Sequence, residues 1–533
     1  VLAGAKALRG PRMRAAAVGR GLTLAAGLCA AVPVMLATAR ALQAGWQPVA
    51  DRGIIATRAF DVFSTHTPLV GQYSFAGTIT GHLTYSLGPM LYWLLAPAAH
   101  VGAPATLALT MGTVNLGSIL GAVALARRRG GLWLMFATAA AIGLMCRSLA
   151  ASNFYDIWNP SAGLFPLMLL MFVCWSLACG EYRLAPLAAL VASFCAQCED
   201  AFIPPSLGLL LVGSVGVALS RADRRPRFGR WMLAALAVLL VCWTPTVVDQ
   251  VGRGGNLGLV LRAATERKSS LGPAVGARAV VHMVGVRPWW ITRARSPWVR
   301  KVDVRKPAGT LASVSAVLIL AWLVVATALA VAQRRREVAA GAATALVLCV
   351  AAWSIASATP ATPLLAGTIG YTLWWASPGG MFVWLIAGSS ALVLLRENGY
   401  AARLADAARA RSRAASRRSR ELLAMFGGLA TVALGAGVGV ASAEPDEHAY
   451  EFPALAAINA HLGAVPRGHT VLLAARLDGV VTPLRPEITF ALRRRGVRAL
   501  GTGAYLRLGH WYEKWSHPYD YVIWLYDRGP PPL

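Results

Sequence analysis

Between residues 21 and 442 the chain alternates long apolar runs with short polar stretches. Most runs approach the ~20 residues that a helix needs to cross a hydrocarbon core of about 30 Å. The pattern predicts eleven membrane-spanning helices, at 21–43, 104–126, 131–149, 161–179, 184–198, 202–220, 231–248, 309–332, 338–358, 379–395 and 422–442. The two longest interruptions are 44–103 and 249–308. The first contains ADRGIIATRAFDVFSTHTPLVGQYS, where Ile55, Ala59, Val62 and Phe63 recur at helical spacing behind Asp51. A short interfacial helix is expected there, with Asp51 at its N-cap and Arg58 on about the same face. Asp61 is rotated well away from Asp51 on that helix and is expected in solvent. The next apolar segment, LGPMLYWLLAPAAHVG over 87–102, is short and broken by Pro89 and Pro97. It is expected to lie flat on the outer leaflet, with Tyr92 and Trp93 at the interface. From 443 onward membrane hydrophobicity ends, and HTVLLAAR, PLRPEITFALRRRG and YDYVIWLYD read as strand, helix and strand. The expected organisation is a tail at 1–20, an all-α polytopic bundle with outer-face juxtamembrane helices at 21–442, and a small α/β domain at 443–533.

Composition supports the membrane class: 56% of residues are hydrophobic and 14% charged, and the mean hydropathy is +0.54. The formal charge of +28 bears on topology. Many of its arginines gather in short stretches, at Arg127–Arg129, Arg183, Arg221–Arg230, Arg334–Arg336 and Arg396–Arg420, as cytoplasmic loops do. They form no nucleic-acid surface. With the basic head of the chain, they place the N-terminus in the cytoplasm and, after an odd number of spans, the C-terminal domain outside. The abundance of Ala and Arg over Lys points to a bacterial plasma membrane. The eight cysteines fall in or beside apolar runs, as small buried hydrophobes do. Cys195 and Cys198 form a CxxC with neither a second pair nor a nearby histidine to complete a zinc site.

The order of motifs is more specific. Asp51 opens Asp-x-x-x-x-Ala-x-Arg-Ala-x-Asp, followed by TPLVGQYS and GHLTYSLGPMLYWLLA, then YDIWNPSAGLFPLMLLMF, SFCAQCEDAFIPP and WTPTVVDQVGRGGN. This series, over about the first half of the chain, resembles the glycosyltransferase C superfamily. It is most similar to bacterial members related to the oligosaccharide, protein-mannosyl and aminoarabinose transferases. The resemblance implies that Asp51, in the first outer loop, is the catalytic base. It implies that the segment from His82 through Tyr85 to Pro89 stands where a His-Pro-Pro or His-Pro-Gly-Pro motif is usual. Arg52 and Cys198 depart from the family pattern, replacing a second acid and a histidine.

A polyprenyl-phosphate-linked sugar as donor suits a single strong base. The departing phosphate is already an anion and needs no proton, so one carboxylate that deprotonates the acceptor hydroxyl is enough. Attack from the opposite face inverts the anomeric carbon. Arg58 and the loop cations Arg262, Arg267 and Lys268 are candidates for stabilising that phosphate, although the loop charges suit anionic lipid headgroups equally well. Asp156 either joins Asp51 in holding Mg or Mn, as second-loop acids do in some relatives, or caps a helix or pairs with an arginine. Trp158, Asn159, Tyr371, Trp374 and Trp375 either hold a sugar or, for the tryptophans, form the aromatic belt. Gln197, Glu199, Asp200, Asp249, Gln250 and Asn256 are further candidates to line the donor and acceptor site. In the C-terminal domain Trp511, Trp515 and Tyr519 either hold an acceptor from the cell envelope or belong to a packing lid. The alternatives are a transporter or lipid flippase, which calls for mid-span charges or an inverted repeat, and an inactive scaffold on the glycosyltransferase frame.

Overall fold

The computed structural model describes residues 18–220, 226–252, 254–266, 269–293, 304, 306–397, 417–441, 446, 448–475, 484–501 and 508–525. Val18–Ala30 (α1) and Val32–Gln43 (α2) form one apolar rod bent by 54°. Pro33, at the start of α2, cannot continue the hydrogen-bond ladder and accounts for the bend. Asp51–Phe60 (α3) follows. Next, Tyr73–Ser74 (β1) and Thr84–Tyr85 (β2) pair antiparallel around the one-turn helix Gly77–Thr80 (α4).

Met90–His100 (α5) leads into Ala105–Met145 (α6), whose helical conformation breaks at Gly130 and Gly131. Gly131 takes φ +68°, a region closed to most side chains. The chain folds back there: the α2 stretch from Pro33 to Thr38 meets Gly112 before the break and, through Gly439, the Cys146 that follows α6.

Asn159–Ala162 (α7), Leu164–Ala178 (α8), Ala185–Cys198 (α9), Ile203–Leu219 (α10) and Phe228–Val251 (α11) come next. After them stand Asn256–Thr265 (α12), Pro273–Val284 (α13), Thr310–Ala332 (α14), Arg336–Ala358 (α15), Pro363–Thr372 (α16), Ala376–Glu397 (α17) and Arg417–Ala441 (α18). α8 is apolar all round and buried at the centre, whereas the leucines and valines of α11 and α14 stay largely exposed, as on a lipid-facing surface.

Among the described residues, seven helices are long and apolar enough to cross a membrane, or eight if α1 and α2 act as one span. The other expected spans fall elsewhere: 131–149 on the second half of α6, and 184–198 and 422–442 on the shorter apolar helices Tyr182–Cys198 and Met425–Ala441. The expected interfacial helix is α5, but Tyr92 is 2% exposed with its hydroxyl donating to Gln72 Oε1 at 3.4 Å. Its place as an interface aromatic is therefore corrected: α3, α6 and α9 all pack on the helix that carries it.

After α18, Phe452–His461 (α19), Thr470–Ala475 (β3), Arg485–Arg494 (α20), Arg498–Leu500 (β4) and Tyr521–Leu525 (β5) form a small unit. Its sheet is parallel in the order β4-β3-β5, with Val471 opposite both Ala499 and Tyr521. α20 packs directly on α3.

The helix directions gather the loops into two sets. Arg128 meets Glu181 at 3.1 Å and Arg336 Nη1 donates to the Ser220 carbonyl at 3.4 Å, so the arginine-rich turns share one end of the bundle. α8 starts from the other end, and Asp51, Trp158, Glu199 and Trp374 collect there.

Candidate active site

α3 begins abruptly. Ala50 takes φ +56° and Asp51 is the first helical residue, so Ala50 holds the N-cap position and the expected cap role of Asp51 is corrected. Two residues on, a Cβ at Gly53 would lie 2.5 Å from Glu487 N and 2.6 Å from Pro486 C. Only a glycine lets the N-terminus of α20 press so closely on this turn.

Asp51 stays half-buried, and its charge reaches both Glu199 and Tyr371. Glu199 sits in the extended break between α9 and α10. Burial, then the charges of Asp200 and Asp51, pushes its carboxyl well above the usual range and favours the protonated form. Asn159 Nδ2 donates to Glu199 Oε2, and Ser74 Oγ donates to Asp200 Oδ2 at 2.6 Å. Asp200 Oδ1 is buried with no hydrogen-bond partner.

Aromatic rings flank these acids. Trp158 lies with its ring centroid 5.2 Å from Tyr371 and 5.6 Å from Trp374. Burial, followed by the charges of Glu199 and Asp51, also raises the Tyr371 phenol. Trp375, by contrast, is fully buried and belongs to the core.

Asp156 does not face Asp51 as a metal ligand. Arg52 Nε and Nη2 donate to its two oxygens at 2.9 and 2.7 Å, and the Trp158 N–H donates to Oδ1 at 2.9 Å. A bidentate pair occupies the lone pairs a divalent ion would need. Among the described residues no group of three or more His, Cys, Asp and Glu side chains is placed to hold a metal. The donor set does not fit Mg or Mn, and of the two sequence readings of Asp156 the structure has the arginine pair.

Several expected ligands instead brace the segment carrying Tyr85. Asn256 Oδ1 accepts the Tyr85 N–H at 2.8 Å and Asn256 Nδ2 donates to the Tyr85 carbonyl at 2.9 Å. Asp249 Oδ2 accepts the Asn256 N–H at 3.0 Å and Gln250 Oε1 the Gly258 N–H at 2.8 Å, so both acceptors serve the start of α12. Gln197 Oε1 accepts the Met90 N–H at 3.4 Å while its Nε2 donates to the Cys242 carbonyl at 2.9 Å. These side chains set the shape of the segment. His82 is exposed on the turn before β2, and Arg267 and Lys268 lie outside the described residues.

The Arg58 charge reaches Tyr85 and Tyr92, and the Asp51 charge also reaches Tyr92. Arg58 Nη1 also donates to Asp61 Oδ2 at 3.3 Å, and Asp61 is the largest correction to the sequence reading. Expected in solvent, Asp61 is fully buried. The Tyr512 hydroxyl donates to Oδ2 at 2.6 Å, Arg493 Nη2 donates to Oδ1 at 3.0 Å, and His66 Nε2 stands 3.0 Å from Oδ1. Burial pushes the Asp61 carboxyl up. The His66 hydrogen bond, the Arg58 charge and the Tyr512 hydroxyl outweigh it and hold the group below the usual carboxylate range. Trp511 stacks on His66 at 4.1 Å, with Arg493 and Arg498 over its ring at 4.5 and 3.8 Å. Asp61 opens the one-turn helix Asp61–Phe63 just past α3, and α20 and the segment before β5 cover it. The i,i+3 spacing from Arg58 was the one local signal. Trp515 and Tyr519 are exposed.

No protein-family model matches the chain, and no curated protein sequence matches it.

Proposed function

We propose that this protein is a membrane glycosyltransferase that moves a sugar from a polyprenyl-phosphate donor to a cell-envelope acceptor, with Asp51 as the base. The observation that carries the reading is the gathering of Asp51, Glu199 and Asp200 beside Trp158, Tyr371 and Trp374 at one end of an apolar bundle. Carboxylates beside aromatic faces are what a sugar ring requires, since hydroxyls seek charged acceptors and C–H faces stack on rings.

In this reading Asp51 takes the acceptor hydroxyl proton as the oxygen bonds to the anomeric carbon. The bond from that carbon to the phosphate oxygen breaks, its electron pair leaves with the polyprenyl phosphate, and the configuration inverts. Glu199, kept protonated by burial and two neighbouring acids, donates a hydrogen bond to a sugar hydroxyl and leaves Asp51 to act as base. Arg58 supplies positive charge to the departing phosphate. No metal enters the scheme.

In the same reading the chain crosses a bacterial plasma membrane eleven times, with the halves of α6 counted separately and the two shorter helices included, and this end and the C-terminal unit face outward. An Asp51→Asn variant, recovered from membranes at normal yield, should lose about 10²–10⁴-fold in transfer from radiolabelled polyprenyl-phosphate sugars to envelope fractions. Undiminished transfer would remove Asp51 as base. A protein that moved lipid-linked sugar across vesicles without transferring it would be a flippase.

A further inference from the structure

The end of the bundle away from Asp51 holds a second built site. A cavity of about 340 Å³ opens between the α6 turn, the start of α15 and the end of α17. Arg129, Arg334, Arg335 and Arg336 line it against a single acid, Glu337. Its other wall is apolar, with Trp133, Leu134, Trp175, Ile386 and Leu392.

Three features point to an anion. Arg129 has a side chain only 10% exposed; it pairs with Glu181 and, at 3.8 Å, with Glu337, yet its Nε is buried with no hydrogen-bond acceptor. The first residues of the 23-residue helix α15, Arg336, Glu337 and Val338, line the cavity, and the positive end of the helix dipole there favours an anion. Arg334 holds φ +57°, a backbone position that favours glycine, so a charged side chain is kept there at a conformational cost. The Trp175 Nε1–H donates to the Glu337 carbonyl at 2.8 Å and ties the apolar wall to the cationic rim.

A soluble anion has no use for such a wall, whereas a lipid uses both halves. We propose that this cavity binds an anionic phospholipid, its phosphate among the arginines at the α15 N-terminus and the start of its acyl chains along Trp133, Ile386 and Leu392. The site is separate from the acidic cluster and does not depend on the glycosyltransferase reading.

The test is native mass spectrometry of the full-length protein released from vesicles of equal parts phosphatidylcholine and phosphatidylglycerol. Wild type should retain phosphatidylglycerol in preference to phosphatidylcholine. The paired substitutions Arg334→Gln and Arg335→Gln, both at exposed positions, should lower that retention by about tenfold or more. The pair Arg467→Gln and Arg495→Gln, an equal charge loss at exposed positions of the C-terminal unit, should leave it unchanged. Equal retention in wild type and the double variant, or no preference over phosphatidylcholine, overturns the proposal. Displacement of the lipid by millimolar inorganic phosphate would show a phosphate site without acyl-chain recognition and would also overturn it.

Discussion

Arg52 and Asp156 stand 104 residues apart in the chain, and their side chains keep 7% and 2% of their exposure. A carboxylate and a guanidinium both taken out of water depend on one another, because either one alone would be left as an uncompensated buried charge. Asp156→Asn is therefore expected to cost about 3–5 kcal/mol, read as a fall in the thermal unfolding midpoint in detergent. Replacing both partners with apolar residues, as Arg52→Met with Asp156→Leu, should recover much of that loss. A metal-binding Asp156 would behave differently: its substitution would alter the dependence of activity on divalent ions and leave stability nearly intact. The YDIWNPSA stretch marked Asp156 as chemically important on sequence, but carboxylates that pair and carboxylates that coordinate look the same until a partner is in place.

Helix α18 shows what small residues do at the scale of an element. A Cβ at Gly435 would lie 2.5 Å from the Ala140 carbonyl, and one at Gly143 would lie 2.7 Å from Ala436 N, so the backbones of α18 and the second half of α6 touch. Without water to drive apolar association inside a bilayer, such close backbone packing is a main source of helix–helix attraction. Gly435→Leu should part the two helices and cost about 1–3 kcal/mol by overpacking. Gly437→Leu on the same helix, where a Cβ meets nothing within 4 Å, should be close to neutral. Comparing the two unfolding midpoints separates helix packing from helix hydrophobicity. The apolar runs that became α8, α10, α11, α14 and α15 were legible from length and hydropathy alone. So were the two runs that became the two halves of α6, which part where Gly130 and Gly131 leave the helical conformation.

Across the whole molecule, the C-terminal unit is fastened to α3 at two points. The Asp61 cluster is one, and the contact of α20 with Gly53 is the other. Glu487 lies at that second point, fully buried, with Asn459 Nδ2 donating to Oε1 at 2.9 Å and Oε2 without a partner. Burial pushes its carboxyl from 4.5 up to about 7, against the opposing effects of the Asn459 hydrogen bond and the Arg494 charge. The folded state thus holds a proton that the unfolded chain releases. That stabilisation is fully present below pH 4.5 and is lost as pH rises through about 7. Over this window it amounts to about 3 kcal/mol, at about 1.4 kcal/mol per pH unit. Glu487→Gln should abolish the decline and raise the unfolding midpoint at pH 8, measured against wild type across pH 5–8. An unchanged slope in the variant would assign the pH dependence elsewhere.

By itself, the sequence determined that this is a helical membrane protein, where most of its apolar helices lie, and that a strand–helix–strand unit follows them. Those properties are carried by hydropathy and periodicity over ten to twenty consecutive residues, and no distant contact is needed to read them. It also singled out Asp51, Glu199, Asn159 and Trp158, which the fold brings to one end. What only the tertiary structure decided is which charged groups are solvated and which are spent on each other. Asp61 is buried by residues more than 400 positions away, Asp156 is closed by Arg52, and Asp249, Gln250 and Asn256 are turned into braces. The role of a carboxylate is set by the donors that reach its oxygens, and in this chain most of those donors come from distant segments.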